Sequence, residues 1–351
     1  MQIHATNIHG LGASQVVKSF LDASSSLGFL DNSNIYLPTT GLLSKYLPEK
    51  GHVIRYNRFL PNSISRLIEC FFSNFLFYNE KTIVLGDIPL RGIKNQVVLV
   101  HQPNLVYPKI NSNSSKSLGF RINRFLFSIN NKFASTIIVQ TGAMANDLMK
   151  SYPAIKDKLI ISPQPVPNWL VENANKFKRN IGKDKIILFY PAAYYPHKKH
   201  EFIISLNSYI ESNSIDFSNI EIWLTLEEEH FKQFESISFL KNLGKLSSDE
   251  MNLYYKKVDA LLFMSSMESY GLPLVEAIFL ELPIITVKYD YSQWICEDTA
   301  YYFEPYSPTS FVSALDKFIC DYTVGSLPSY KDVVKKFPKS WDIIAETFFS
   351  H

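Results

Sequence analysis

The chain has 351 residues, 46% of them hydrophobic and 19% charged, with a formal net charge of +2. That length suits two domains of ordinary size rather than one core, and the balanced composition without a low-complexity tract argues against disorder. No apolar run approaches the ~18 residues of a spanning helix, and the opening Met1–Ala5 has no basic stretch leading into an apolar one, so neither a membrane span nor a signal peptide is expected.

The charge is unevenly placed. Residues 1–165 carry 17 Lys and Arg against 8 Asp and Glu, a net +9, while residues 166–351 carry 18 against 25, a net −7. Opposite signs suggest two domains with different partners, the basic one suited to anionic lipid or a phosphorylated acceptor. Cys70, Cys296 and Cys320 lack metal-ligand spacing and read as buried free thiols of a reducing compartment.

In chain order, a glycine turn from Ile8 to Ser14 precedes a helix predicted over Gln15–Ala23. Gly10 and Gly12 would let the backbone approach a phosphate at that helix start. Two stretches interleave basic and aromatic residues: Arg55–Leu60 running on to Arg66 and Phe71–Phe72, and Leu118–Phe127. Both read either as a face lying on an anionic membrane surface or as core-facing helices with snorkelling arginines. Thr82–Leu85, Val97–Val100 and Thr136–Val139 read as buried strands at a spacing that suits βα units. His101 directly follows the second of them, which puts it at the carboxyl edge of the sheet, where loops on a rigid scaffold carry function. Three prolines between Ser162 and Pro167 stop regular structure, and a polar, basic stretch follows.

The second half repeats the pattern. Strands are predicted at Ile186–Tyr190, Ile220–Leu224, Ala260–Phe263 and Pro283–Val287, and helices at Glu201–Ile210, Asp249–Lys257, Leu274–Leu280 and Pro308–Phe318. Ser340–Phe349 reads as a capped amphipathic helix. The resulting division is a Rossmann-like domain over 1–165, a linker over 166–183, a second domain over 184–335 and a terminal helical segment over 336–351.

The most informative segment runs from Phe263 to Ala277. A strand ends, a loop carries Glu268, and a helix opens after Gly271 with Glu276 about one turn in. Pro273 suits the first helical position because its missing N–H is unpaired there anyway. Gly271 and Leu272 then present backbone N–H groups beside the positive end of the helix dipole, a place for phosphate. Two carboxylates flanking such a site suit a ligand with hydroxyls at one end and phosphates in its middle. A second constellation, Tyr190–His200, follows the first strand of the second half. Lys198 there can neutralise charge on a departing diphosphate.

Residues 241–305 resemble the C-terminal half of retaining GT-B glycosyltransferases of glycosyltransferase family 4 (group 1). The likeness is carried by Asn242-Leu243-Gly244 before Leu246-Ser247, by the paired glutamates Glu268 and Glu276 around Ser269-Tyr270-Gly271-Leu272-Pro273, by Pro283-Ile284-Ile285, and by Cys296–Ala300 and Tyr302-Phe303. The resemblance implies two Rossmann-like parallel-sheet domains facing across a cleft, with the last helix crossing back to the first domain. It implies metal-independent, retaining transfer of a hexose-type sugar from a nucleoside-diphosphate sugar to a glycan hydroxyl, by front-face substitution. His101 and Glu268 would hold the donor sugar, Glu276 the ribose, and Lys198 with Gly271, Leu272 and Gly12 the leaving diphosphate. Gly10, Lys199, Gly244, Leu246, Ser269 and Tyr270 would complete donor binding.

Four positions depart from the family pattern. Met264 stands for a usual Pro, Trp294 for a common acid, and Ala192 or Ala193 for an Arg, whose work Lys199 or another base would take over. Gln102 replaces the acid of a His-Asp pair. The eight histidines are scattered and no Asp-x-Asp pair occurs, so no metal and no cofactor beyond the donor substrate is expected. With the basic first half, the expected acceptor is a lipid-linked oligosaccharide of bacterial O-antigen or capsule assembly. It would be met from the cytoplasm, peripherally, at the inner membrane face, and no nucleic-acid partner is expected. The rival readings are a non-catalytic GT-B-fold binding or scaffold subunit, and a nicotinamide-dependent enzyme, for which the 10–13 loop lacks the third glycine.

Overall fold

All strand pairings in the computed structural model are parallel, and both sheets follow one winding rule. The structure describes every residue except 9, 58–61, 107–117, 173–177 and 179–184. It divides into two units, Met1–Pro167 with Phe337–His351, and Asn168–Lys336.

Among the described residues the first unit holds seven strands: β1 (Gln2–His4), β2 (Asn34–Pro38), β3 (His52–Tyr56), β4 (Thr82–Val84), β5 (Gln96–Leu99), β6 (Ala134–Val139) and β7 (Leu159–Ile161). Their spatial order is 3-2-1-4-5-6-7. The order reverses between β1 and β4, the switch point at whose carboxyl edge ligands of such sheets bind. Strands β4 and β5 are buried throughout, because helices cover both faces of a doubly wound sheet and each side chain then needs an apolar partner. One cover is the helix Leu11–Ser26, which buries Val16, Val17, Phe20 and Leu21. It begins three residues before the predicted glycine turn ends, so Gly12 lies in its first turn rather than in a loop before it.

Residues Phe337–His351 pack within this unit. Trp341, Ile344, Ala345 and Phe348 of the helix Trp341–Ser350 join the core around Phe20, whose ring centroid is 5.0 Å from that of Phe348. Trp341 Nε1 donates to the Val166 carbonyl at 3.2 Å. Ser340 takes the N-cap position, but its side chain makes no capping bond, contrary to the capped helix read from the sequence.

Three arginines of the interleaved stretches turn inward, while Arg121 is exposed. Arg55 donates to the carbonyls of Leu43 and Tyr46, Arg66 to that of Gly86, and Arg124 to that of Asn104. The helix Asn62–Phe71 is inverted as a result. Its inner face carries Arg66, Glu69 and Cys70, all buried, while Ile64, Leu67, Ile68 and the following Phe72 are exposed. Arg58, Phe59 and Leu60 lie outside the described residues.

The second unit holds β8 (Ile186–Tyr190), β9 (Ile220–Leu224), β10 (Leu240–Asn242), β11 (Ala260–Phe263), β12 (Ile284–Val287) and β13 (Tyr301–Phe303). Their order, 10-9-8-11-12-13, repeats the winding of the first sheet, with its switch point between β8 and β11. The stretch expected as linker carries a short helix, Asn168–Glu172, grouped with the second unit; residues 173–177 and 179–183 of that stretch lie outside the described residues. The helix begun at Pro308 runs past its predicted end to Val324, where Gly325 adopts φ 80°; glycine reaches that left-handed conformation without a Cβ clash. Cys70 and Cys296 are buried as read, but Cys320 is exposed. Among the described residues no helix is long and apolar enough to cross a membrane.

Candidate functional site

The two loops that leave the switch point of the second unit carry Lys198, after β8, and Glu268, after β11. Three hydrogen bonds tie the loops together through the His197 carbonyl, which accepts from Ser266 N at 2.7 Å, Ser266 Oγ at 3.1 Å and Ser265 Oγ at 3.2 Å. Tyr190 Oη donates to the Lys198 carbonyl at 2.5 Å, and Tyr291 Oη to that of Ser265 at 2.5 Å. With both backbones anchored, Lys198 Nζ pairs with Glu268 Oε1 and lies 5.4 Å from the centroid of the Phe263 ring. The side chains of the pair are 17% and 15% exposed, so their charges act through a partly desolvated medium.

Glu268 continues into the helix start. Gly271 is the N-cap at φ 79° and ψ 58°, a conformation open to glycine and costly to residues with a Cβ. Leu272 is the first helical residue and Pro273 the second, one place later than predicted. Leu274 N bonds back to the Gly271 carbonyl at 2.9 Å, and among the described residues the Leu272 N–H has no acceptor. An unpaired N–H, a helix dipole and an ammonium group on adjoining loops suit an anionic group such as a diphosphate.

Glu276 lies deeper. It is 6% exposed, and its Oε2 accepts from Tyr255 Oη at 2.6 Å. Burial pushes its carboxyl up to about 7, and the Tyr255 bond opposes that shift. Tyr255 ends the helix Ser248–Tyr255, which opens with a reciprocal capping box: Ser247 N donates to Glu250 Oε2 at 2.8 Å, and Glu250 N to Ser247 Oγ at 3.4 Å. Just upstream lie Gly244 and Leu246, both half-buried. Gly244 sits at φ 72° with open space where a Cβ would be, and its loop is pinned by Asn242, whose side chain accepts from Leu226 N and donates to Leu226 O, each at 3.0 Å. One element therefore joins the Gly244 turn to Glu276 through Tyr255.

Other predicted residues fall differently. Lys199 does not share the Glu268 pair; it adopts φ 56° and holds its ammonium 5.5 Å from the Tyr306 ring centroid. Tyr270 is 2% exposed, so its backbone rather than its ring is what it offers a ligand, and Ser269 is half-buried beside it. The histidines are not all scattered from acids: Glu227, Glu229 and His230 form one surface group with metal-ligand atom types.

In the first unit, Gly10 is the N-cap of Leu11–Ser26 at φ −71°, a conformation any residue adopts. His9 lies outside the described residues. His101 follows β5 at the carboxyl edge as expected. Its N–H and that of Gln102 both donate to Asp87 Oδ1, at 2.8 and 2.9 Å, and its Nε2 is 3.7 Å from Asp87 Oδ2.

Residues 171–336 match the family described as glycosyl transferases group 1. The second unit belongs to that family. WbdA of Escherichia coli, a serotype-specific mannosyltransferase, is 28% identical over 91 residues, 26% of this chain and 11% of WbdA. RfbU of Salmonella typhimurium, an O-antigen chain mannosyltransferase, is 22% identical over 242 residues, 68% of this chain and 65% of RfbU. The chain thus spans a small part of the first relative and just under two thirds of the second. In fold it is similar to sucrose-phosphate synthase from Thermosynechococcus elongatus, with a TM-score of 0.74 at 14% identity over 99% of this chain and 97% of that one. It is likewise similar to HepE of Anabaena, solved with UDP and glucose, with a TM-score of 0.63 at 14% identity over the whole of both chains. The architecture is GT-B.

Two residues escaped the sequence reading. Tyr255 looked like an ordinary helix residue, and only its bond to Glu276 marks it. Asp87 follows a strand after a glycine, and that position at a strand end was the one available signal.

Proposed function

We propose that this glycosyl transferase moves a hexose, in a retaining and metal-independent reaction, from a nucleoside-diphosphate sugar to a glycan carried on lipid. The Lys198–Glu268 pair at the switch point, three residues before the Gly271 helix start, carries this reading. Lys198 and the Leu272 N–H stabilise the negative charge that develops on the departing diphosphate. Glu268 receives a sugar hydroxyl, Glu276 the ribose, and His101 of the first unit the transferred sugar. The UDP and glucose bound in HepE support a donor of this class, and the mannosyltransferase relatives support a mannosyl donor and an O-antigen type of product.

The acceptor side draws support from the inverted helix Asn62–Phe71. With Arg55, Arg66 and Arg124 engaged internally, the outward stripe is apolar rather than basic. A stripe of Ile64, Leu67, Ile68 and Phe72 on a unit of net positive charge suits peripheral contact with the inner face of an anionic membrane, where a lipid-linked acceptor is met.

A thermal-shift panel of UDP- and GDP-hexoses tests the donor assignment. A cognate donor raises the melting temperature because it binds the folded state alone. The Glu276→Ala variant is expected to lose that shift, and transfer with EDTA present is expected to match transfer without it. Donor binding without transfer to any glycan would instead make the chain a binding subunit, and transfer unaffected by Glu276→Ala would overturn the site.

A further inference from the structure

The resemblance expects an acid beside His101, and position 102 holds Gln102. The structure brings a carboxylate to the same place from another strand. Asp87 follows β4, whose neighbour in the sheet is β5, the strand that His101 follows. One carboxylate oxygen, Oδ1, accepts the backbone N–H groups of both His101 and Gln102, at 2.8 and 2.9 Å. The other, Oδ2, faces His101 Nε2 at 3.7 Å. One oxygen is thus bonded to the 101–102 step, and the other faces the imidazole as a charge contact beyond hydrogen-bond distance.

The turn that presents Asp87 is built for it. Gly86 has no room for a side chain, since a Cβ there would lie 1.9 Å from Asn7 Oδ1. The Gly86 carbonyl is held by Asn7 Nδ2 at 3.0 Å and by the buried Arg66 Nη2 at 2.6 Å. Asp87 itself takes φ 70°, a left-handed conformation that Asp and Asn accept better than other side chains, and its N–H is tied to the Leu99 carbonyl at 3.2 Å. The carboxylate is 12% exposed, so little water screens it.

We infer that Asp87 is the positioning residue of His101, orienting its backbone and determining which ring nitrogen keeps its proton. This rests on the reading of His101 as a contact of the transferred sugar. A carboxylate opposite Nε2 favours the proton there and leaves the lone pair on Nδ1, which has no partner among the described residues. A merely structural Asp87 would need only its backbone-capping oxygen.

Asp87→Asn separates the two roles. The amide keeps the left-handed backbone and an oxygen for the two N–H groups, but it turns an NH2 toward Nε2 and so favours the opposite tautomer. Nitrogen-15 NMR of histidine-labelled full-length protein reads this without reference to activity. His101 is expected as the Nε2–H tautomer in the wild type and the Nδ1–H tautomer in Asp87→Asn; the same tautomer in both overturns the inference. In transfer assays, Asp87→Asn is expected to lower kcat about tenfold or more, as for a group slightly misplaced, with donor KM within about twofold. The same substitution is expected to cost little further in a His101→Ala background; an undiminished cost there also overturns the inference. Full activity of His101→Ala alone would instead refute the sugar-contact reading, while the tautomer result stands by itself.

Discussion

Lys198 and Glu268 form an ion pair across the two loops that leave the switch point of the second sheet. Each side chain is mostly withdrawn from water, so removing one strands the other's charge. Lys198→Ala is expected to lower kcat by about 100-fold or more, the effect of deleting one group that stabilises transition-state charge, with a smaller change in donor KM. Thermal denaturation of Lys198→Ala, Glu268→Ala and the double variant is expected to show coupling of about 1 kcal/mol, because the second deletion removes a charge already stranded. Additive losses would show that the pair contributes nothing as a pair.

Glu276 makes stability depend on pH in a particular direction. Its carboxyl is raised from 4.5 to about 7 in the folded protein, so the folded state holds a proton that the unfolded chain releases. The stability linked to that proton is present below about pH 4.5 and is lost as pH rises to 7, with a plateau above that reaches about 3 kcal/mol for a shift of this size. Glu276→Gln keeps the shape without the charge. Its melting temperature is expected to exceed that of the wild type at pH 8, with the difference shrinking toward pH 5. Donor affinity of the wild type is expected to weaken below about pH 7 as the ribose acceptor protonates, while that of Glu276→Gln is flat.

Gly12 and Gly271 serve different ends of the same proposal. Gly12 is exposed in the first turn of a helix, so Gly12→Ala is expected to stabilise the protein by about 0.5–1 kcal/mol while raising donor KM if the backbone there covers a diphosphate. Gly271 sits at φ 79°, and a Cβ would meet only ordinary contacts, the nearest 3.4 Å away. Gly271→Ala is therefore expected to cost about 1–2 kcal/mol through backbone strain alone and to weaken donor binding as the Leu272 N–H moves. Calorimetry beside donor titration distinguishes the two.

The exposed stripe of Asn62–Phe71 gives a test of membrane contact that leaves the fold intact. Ile68→Glu lies on the solvent side, so its effect on stability is expected within about 0.5 kcal/mol. Cosedimentation with anionic liposomes at low salt is expected to fall sharply. Unchanged cosedimentation would remove this helix from the membrane contact.

Much of the second unit was legible without a structure. Ile186–Tyr190, Ile220–Leu224 and Ala260–Phe263 are strands residue for residue, because a parallel strand covered on both faces reads as an apolar run, interrupted here only by the half-buried Glu221. His52–Tyr56, at the edge of the first sheet, is half-exposed, and Asn34–Pro38 beside it holds only Ile35-Tyr36-Leu37 between a polar residue and a proline, so neither gave such a run. Helix ends were missed by a few residues, as at Leu11 and Val324, since the apolar period marks a helix interior and not its first or last turn.

The sequence by itself determined the local part of the site. Glu268, Gly271 and Glu276 lie within one strand–loop–helix step, so their order along the chain already sets their order in space. Only the tertiary structure decided their partners. Lys198 meets Glu268 across 70 residues, and Tyr255 meets Glu276 across 21. Asp87 supplies beside His101 the acid that Gln102 lacks. The physical reason is common to all three. A parallel sheet requires a crossover between neighbouring strands, so side chains that meet beside it come from loops or helices separated by at least that crossover. Strand order, which side-chain periodicity does not encode, selects which segments those are.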